Sequence, residues 1–381
     1  MKKFSILSLI LVISLASYTH QKSKQKEQSV SSVELVTEKP TYSSILKEHS
    51  RYSTSHALIK SSKFPTLGYV TPWNNHGYDV AKIFSRKFTY ICPVWYQIVF
   101  TPQEKIQING GHDLDAGWIR DVRNGSSAPR IVPRFLLENW APKSILELAE
   151  SDKLQESFIS SIVKQCKDNG FDGIVLDTAN LGMRLGNEHL DERLLTFYQN
   201  LGTALHKNKW TFILVEPPSR GRRASFESRD FMSLAPFVDH FSLMTYDFSG
   251  NTEGPNAPLT WMVENALSLI PPSMRSDEEL TQKLLLGVPF YGYDFKNGMS
   301  NAITANTYLG LLKEHKPKFK WDGVASEHYF TYKEKGTSSE HTVYYPTLKF
   351  VHERLKSIEE LGVGLAIWEI GQGLDYFYDL L

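Results

Sequence analysis

The sequence predicts an α/β protein: a (β/α)8 TIM barrel with a small α+β insertion between strands seven and eight. Three observations predict it. Eight short apolar runs, rich in β-branched and aromatic residues, follow one another between Thr66 and Gly371. They are almost continuously hydrophobic, as strands buried on both faces of a parallel sheet are. Stretches with apolar residues at helical spacing separate them, so strand and helix alternate. A doubly wound open sheet fits the same alternation. The length, 381 residues, suits two average domains or one large barrel with additions.

In chain order, "MKK" followed by "FSILSLILVISLA" reads as a signal peptide over residues 1–20, with small residues for cleavage near Ala16 and Ser17. No second apolar span follows, so the expected chain is lumenal after cleavage, secreted or endolysosomal, without a membrane span. Residues 21–60 are rich in Lys, Ser, Glu and Gln and read as a polar, loosely docked arm. The barrel is expected over residues 61–381.

The eight runs are "TLGYVTPW" (66–73), "FTYICPVWYQI" (88–98), "RIVPRFLL" (130–137), "FDGIVLDTA" (171–179), "TFILVEPP" (211–218), "HFSLMTYDF" (240–248), "KLLLGVPFYGY" (283–293) and "VGLAIWEIG" (363–371). Between runs three and four, "APKSILELAESDKLQESFISSIVKQCKDNG" is helical by period and stops on Asn-Gly. "DERLLTFYQNLGTALHKNK" is another helix. Before run eight, alternating Tyr, Val and Phe around a Gly-Thr-Ser turn predicts a small antiparallel insertion at about 296–350.

Charge excludes some partners. The 42 basic and 42 acidic side chains balance, which argues against nucleic acid or an anionic membrane held by bulk charge. Cys92 lies in an apolar run and Cys166 near a helix end. One bridge between them is chemically allowed, and two buried thiols are the expectation. Asn124 opens the N-x-S sequon Asn124-Gly125-Ser126 and is a glycosylation candidate. His112, Asp113 and Asp115 lack metal-ligand spacing and read as a solvated turn, so no metal and no cofactor is expected.

In a barrel of this kind, chemistry sits at the C-terminal strand ends. Those ends carry Asp177, Thr178 and Ala179 on run four, Glu216 on run five, Met244, Tyr246 and Asp247 on run six, and Trp368 and Glu369 on run eight. Carboxylates, a tyrosine and a tryptophan on one rim suit a sugar: Trp stacks on an apolar ring face, and Asp and Tyr bind hydroxyl or acetamido groups. The expected ligand-binding set is therefore Asp177, Met244, Tyr246, Asp247 and Trp368.

These residues resemble glycoside hydrolase family 18. "FDGIVLDTA" stands where that family has D-G-x-D-x-D-x-E on strand four. "MTYDF" resembles its strand-six motif, "AIWEIG" its strand-eight tryptophan, and the insertion its small α+β domain. The resemblance implies binding of N-acetylglucosamine-type oligosaccharides, and extends to lipopolysaccharide and a stabilin-type sorting receptor as partners. It also implies a substrate-assisted hydrolysis in which the final Glu protonates the leaving oxygen.

Here the pattern departs. Asp172 and Asp177 match the first and third acids, while Val175 and Ala179 replace the second and the proton donor. Loss of a positioned general acid costs about 10²–10⁴ in rate. Three readings follow: a chitinase-like lectin; a glycosidase with a relocated acid, with Glu216 first and Asp247 and Glu253 behind it; and a protein-interaction module with a plugged mouth.

Overall fold

The computed structural model describes residues 35–101, 105–178, 191–221, 226–334, 336 and 339–381. The expected signal peptide, residues 21–34 of the arm and Ala179 lie outside the described residues.

All eight runs are strands, and they are parallel. In chain order they are β1 (Thr66–Val70), β2 (Tyr90–Pro93, then Tyr96–Thr101), β3 (Arg130–Ile131, then Arg134–Leu137), β4 (Gly173–Asp177), β5 (Thr211–Glu216), β6 (His240–Leu243), β7 (Leu284–Pro289) and β8 (Gly364–Trp368). β1 pairs with β2 on one side and β8 on the other, so the sheet closes on itself. That closure decides for the barrel over the open doubly wound sheet. β2 and β3 each break at a proline, Pro93 and Pro133, which have no N–H for the ladder.

Side-chain parity separates two cores. Leu67, Tyr69, Cys92, Val132, Val175, Ile213, Val215, Leu285 and Ala366 fill the barrel interior. The alternating residues, such as Ile174, Leu176, Phe212, Leu214, Phe241 and Leu286, pack outward against the helices. Both cysteines are free and buried, Cys92 in the inner cluster and Cys166 in the outer one.

The helical segment after run three is two helices, Pro142–Glu150 and Asp152–Asn169. Ser151 separates them because its side chain caps the second, accepting from Leu154 N at 3.2 Å. The Asn-Gly stop holds: Gly170 sits at φ +63° at the C-terminus. β2 runs further than its apolar run and turns back as an antiparallel strand, Lys105–Asn109. Gly110 ends that hairpin at φ +94°, where a Cβ would lie 1.8 Å from the Trp95 carbonyl oxygen.

The insertion is a five-stranded antiparallel sheet (Gly292–Lys296, Met299–Ile303, Lys320–Asp322, Glu327–Lys333, Glu340–Tyr344) with the helix Ala305–His315. It begins at Gly292, inside what reads as the end of run seven. The apolar run continues there because one strand ends at Pro289 and the next begins three residues later.

The arm also differs from its expectation over the described part. Tyr42–Glu48 is a helix with a reciprocal capping box between Thr41 and Ser44. Ile45 is buried, and the Glu38 carbonyl is bonded to His328 Nε2 at 3.0 Å. A few apolar residues on one face, Leu35, Tyr42, Ile45 and Leu46, suffice to dock it; the polar average hides them. Among the described residues no helix is long and apolar enough to cross a membrane.

Candidate sugar site at the barrel mouth

Asp177 is the last residue of β4 and shares its inward parity with Val175, so it stands at the C-terminal mouth. Val175 is fully buried among aliphatic neighbours. Asp172 lies five residues earlier, about 16 Å away at the strand rise of about 3.3 Å per residue. There it accepts from Arg123 Nη2 at 2.6 Å and Ile131 N at 2.8 Å, stapling the far end of the barrel. The two acids of the strand-four pattern therefore do different work.

Arg134 reaches the mouth from the neighbouring strand. It is in register with Val175, and its Nε lies 3.1 Å from Asp177 Oδ2. Its guanidinium carbon is 5.3 Å from the centre of the Trp368 ring. Trp368 ends β8, leans on the Tyr69 ring at 5.1 Å and stays half-buried. The peptide from Trp368 to Glu369 is cis.

β6 supplies the opposite wall. Met244 packs on the interior cluster just beyond the strand. Tyr246 is half-buried, its ring 6.2 Å from that of Tyr291. Burial, then the charges of Asp177 and Asp247, raise its hydroxyl pKa above the ordinary tyrosine value. Gly287 of β7 leaves room for this ring: a Cβ there would lie 2.9 Å from Tyr246 Cε1 and 2.2 Å from the Leu243 oxygen.

Asp247 adopts φ +59°, a conformation that aspartate tolerates better than most residues. The tyrosines Tyr291 and Tyr293 both donate to its Oδ1, the second at 2.6 Å. Its N–H donates to Asn256 Oδ1 at 2.8 Å, and Arg220 Nη2 donates to its carbonyl at 2.8 Å. The insertion thus holds this carboxylate in place.

The remaining candidates stand elsewhere. Glu216 ends β5, but Val215 points into the barrel, so Glu216 shares the outward parity of Phe212 and Leu214. It is 7% exposed. Burial, then the Asp230 and Asp177 charges, push its carboxyl well above the ordinary carboxylate value. A raised carboxyl is what an acid catalyst needs, yet this one faces the helix layer. Glu253 accepts from Thr342 Oγ1 at 2.9 Å and is committed to the insertion.

Glu369 is fully buried. It accepts from Gly371 N at 2.8 Å and from Asn74 Nδ2, and burial pushes its carboxyl up to about 7. His112 is 82% exposed at its side chain, and Asp115 caps the helix Ala116–Val122. Among the described residues no group of three or more His, Cys, Asp or Glu could hold a metal ion. Asn124 is exposed in a loop before β3, at the opposite end of the barrel from the mouth.

Sequence reasoning missed Arg134, Tyr69, Tyr291, Tyr293 and the exposed Trp73, which lies just past the C-terminal end of β1. Arg134 carried a signal: it is a charge in the middle of the apolar run three. The two tyrosines stand at the end of run seven, a strand-end signal that went unread because the run fuses with the first strand of the insertion.

The profile of glycosyl hydrolases family 18 matches residues 135–373, more than half of the chain. The chain belongs to glycoside hydrolase family 18. It is 23% identical over 232 residues to the cortical fragment-lytic enzyme of Bacillus anthracis, covering 57% of this chain and 50% of that one. It is 24% identical over 197 residues to probable chitinase 2 of Drosophila melanogaster, covering 49% and 38%. The matches therefore span half or less of these relatives' lengths.

Among solved structures, a chitinase from Chromobacterium violaceum superposes with a TM-score of 0.69 at 20% identity, covering 83% of this chain and 97% of that one. The spore cortex-lytic enzyme SleL of Bacillus cereus does so with 0.66 at 18%, covering 83% and 73%. At such identities the likeness is one of fold.

Proposed function

We propose that this family 18 chain is a lectin: it binds N-acetylglucosamine-type oligosaccharides across the barrel mouth and does not hydrolyse them. The observation that carries the reading is the strand-four sequence pattern. Val175 and Ala179 occupy the positions where the family pattern has carboxylates. A glycosidic oxygen leaves poorly without a proton, and the remaining acid, Asp177, lies against the Arg134 guanidinium. A surrogate donor must come within hydrogen-bond reach of that oxygen. The outward parity of Glu216 counts against the relocated-acid reading. The half-buried rings of Trp368 and Tyr246 leave aromatic surface for stacking, which favours sugar over a plugged mouth.

Calorimetry with N-acetylglucosamine oligomers is expected to show binding, while a chromogenic chitobioside assayed from pH 4 to 8 shows no turnover above buffer. Trp368→Ala is expected to weaken binding roughly tenfold, the upper part of what aromatic stacking contributes. Turnover at the rate of a working chitinase, abolished by Glu216→Gln, would overturn the reading in favour of the relocated acid.

The segments "GGHDLDAGWIRDVR" and "IWEIGQGLDYFYDLL" resemble the stabilin-1-interacting chitinase-like branch of the family. That likeness supports lipopolysaccharide and a stabilin-type receptor as further partners, and the same calorimetric panel can include both. We place the chain in the secretory or endolysosomal lumen. N-terminal sequencing of the protein from that lumen should find the first residues removed near Ala16; an intact Met1 would contradict the assignment.

A further inference from the structure

Arg134 is a charge at the mouth that the fold does not fully satisfy. It lies on the inward face of β3, with 12% of its side chain exposed, above the apolar filling of Cys92, Val132 and Val175. Its Nε is close to Asp177 Oδ2, but off the hydrogen-bond axis, and this nitrogen is a buried donor without an acceptor. Among the described residues no side chain or carbonyl accepts from Nη1 or Nη2 either. A guanidinium carries five N–H donors; here the buried Nε is left unmet, which is costly, and the two Nη groups stay open to a ligand at the mouth.

The neighbouring acids relieve it only in part: Asp177 balances its charge from the Nε side. Asp247 is taken by two tyrosines, and Glu216 faces the helix layer. In register with Arg134 stands Val175, so that position of strand four offers it no carboxylate, and Asp177 meets only its Nε edge. On its other side is the Trp368 ring. The mouth thus offers an aromatic platform beside a planar fork of unspent donors. That fork matches a carboxylate in two-point geometry.

We propose that the preferred ligand is an acidic saccharide. One sugar ring stacks on Trp368, and a carboxylate on that or the adjoining ring is bound by Arg134. The inference rests on the sugar-binding reading above and narrows it from neutral aminosugars to sugar acids.

The test is calorimetry on the full chain at about 50 mM salt. One probe is a tetrasaccharide of alternating N-acetylglucosamine and glucuronate. The second is the same tetrasaccharide with its carboxylates reduced to hydroxymethyl groups, and the third is the N-acetylglucosamine tetramer. The acidic probe is expected to bind about tenfold more tightly than its reduced form, as hydrogen bonds to charged groups allow. Arg134→Lys keeps the charge and loses the fork, so the ratio should fall to about twofold; Arg134→Gln should bring it near one.

Removing Arg134 leaves Asp177 without that cation, so Arg134→Gln combined with Asp177→Asn supplies the same readout if the single variant fails to fold. Equal affinities for the acidic and reduced probes, or a ratio unmoved by Arg134→Lys, overturn the inference. If only the neutral probes bind, the lectin reading survives alone. If none binds, both fall.

Discussion

Glu327→Ala is expected to destabilise the fold by about 3–5 kcal/mol, the range for breaking a buried ion pair from one side. Glu327 opens a strand of the insertion and is 3% exposed; Arg354, on the helix Leu348–Leu361, is 1% exposed. The Glu327 carboxylate accepts from Asn256 N at 3.1 Å and Ala257 N at 2.7 Å, with Arg354 Nη2 at 3.5 Å. Arg354 also donates to the carbonyls of Ala257, Ala325, Ser326 and Phe350. Removing the carboxylate leaves a buried guanidinium without its counter-charge and two N–H groups without an acceptor. Asn256 in turn accepts from the Asp247 N–H, so the damage should reach the mouth. Equilibrium urea unfolding checks the first effect, and weaker sugar binding at a temperature where the variant stays folded checks the second. A loss under about 1 kcal/mol would mean that the pair does not tie the insertion to the barrel.

Glu369 predicts a pH dependence of opposite sign to the usual carboxylate. Its folded value, about 7, lies above its ordinary value of 4.5 because burial disfavours the charge. Between those values the folded chain holds the proton and the unfolded chain does not. The contribution to stability is complete below about pH 4.5 and is lost as pH rises through about 7; the separation corresponds to about 3 kcal/mol.

Two buried histidines act the other way. His240 and His328 are held down at about 4 by burial, so their contribution is present above 6.5 and lost as pH falls through about 4. The whole-protein profile sums these terms. The Glu369 part is isolated by subtraction: the stability of wild type relative to Glu369→Gln should fall by about 3 kcal/mol from pH 4.5 to 7.5 in urea titrations. A flat difference would show that the carboxyl is not protonated in the folded state at mildly acidic pH. His76, paired with Asp375 at 2.9 Å, stands near this site and should be kept unchanged in both proteins.

The barrel itself was legible because each strand is a local event. An apolar, β-branched run reads the same whatever it pairs with, and eight of them alternating with helices leave few arrangements. The strand-four substitutions were legible for the same reason: Val175 and Ala179 are identities, visible without coordinates. Where boundaries slipped, neighbouring apolar stretches had fused, as at β7 and the insertion's first strand, or a polar average had concealed a narrow apolar face, as in the helix Tyr42–Glu48.

Side-chain facing was not legible. Parallel strands buried on both sides show no alternation, so nothing in "TFILVEPP" says that Val215 points in and Glu216 out. Closure of the sheet decided that, and it placed Arg134 between Asp177 and Trp368, residues from three different strands. The end of β7 and the first strand of the insertion together decided that two tyrosines, Tyr291 and Tyr293, spend their hydroxyls on Asp247. Sequence by itself determined the strands, their order and the missing carboxylates, because these depend on near neighbours along the chain. Which charges meet, and which are left with donors to offer, depended on residues far apart in the chain, such as Tyr291 and Asp247 or Arg134 and Trp368, and only the tertiary structure could decide it.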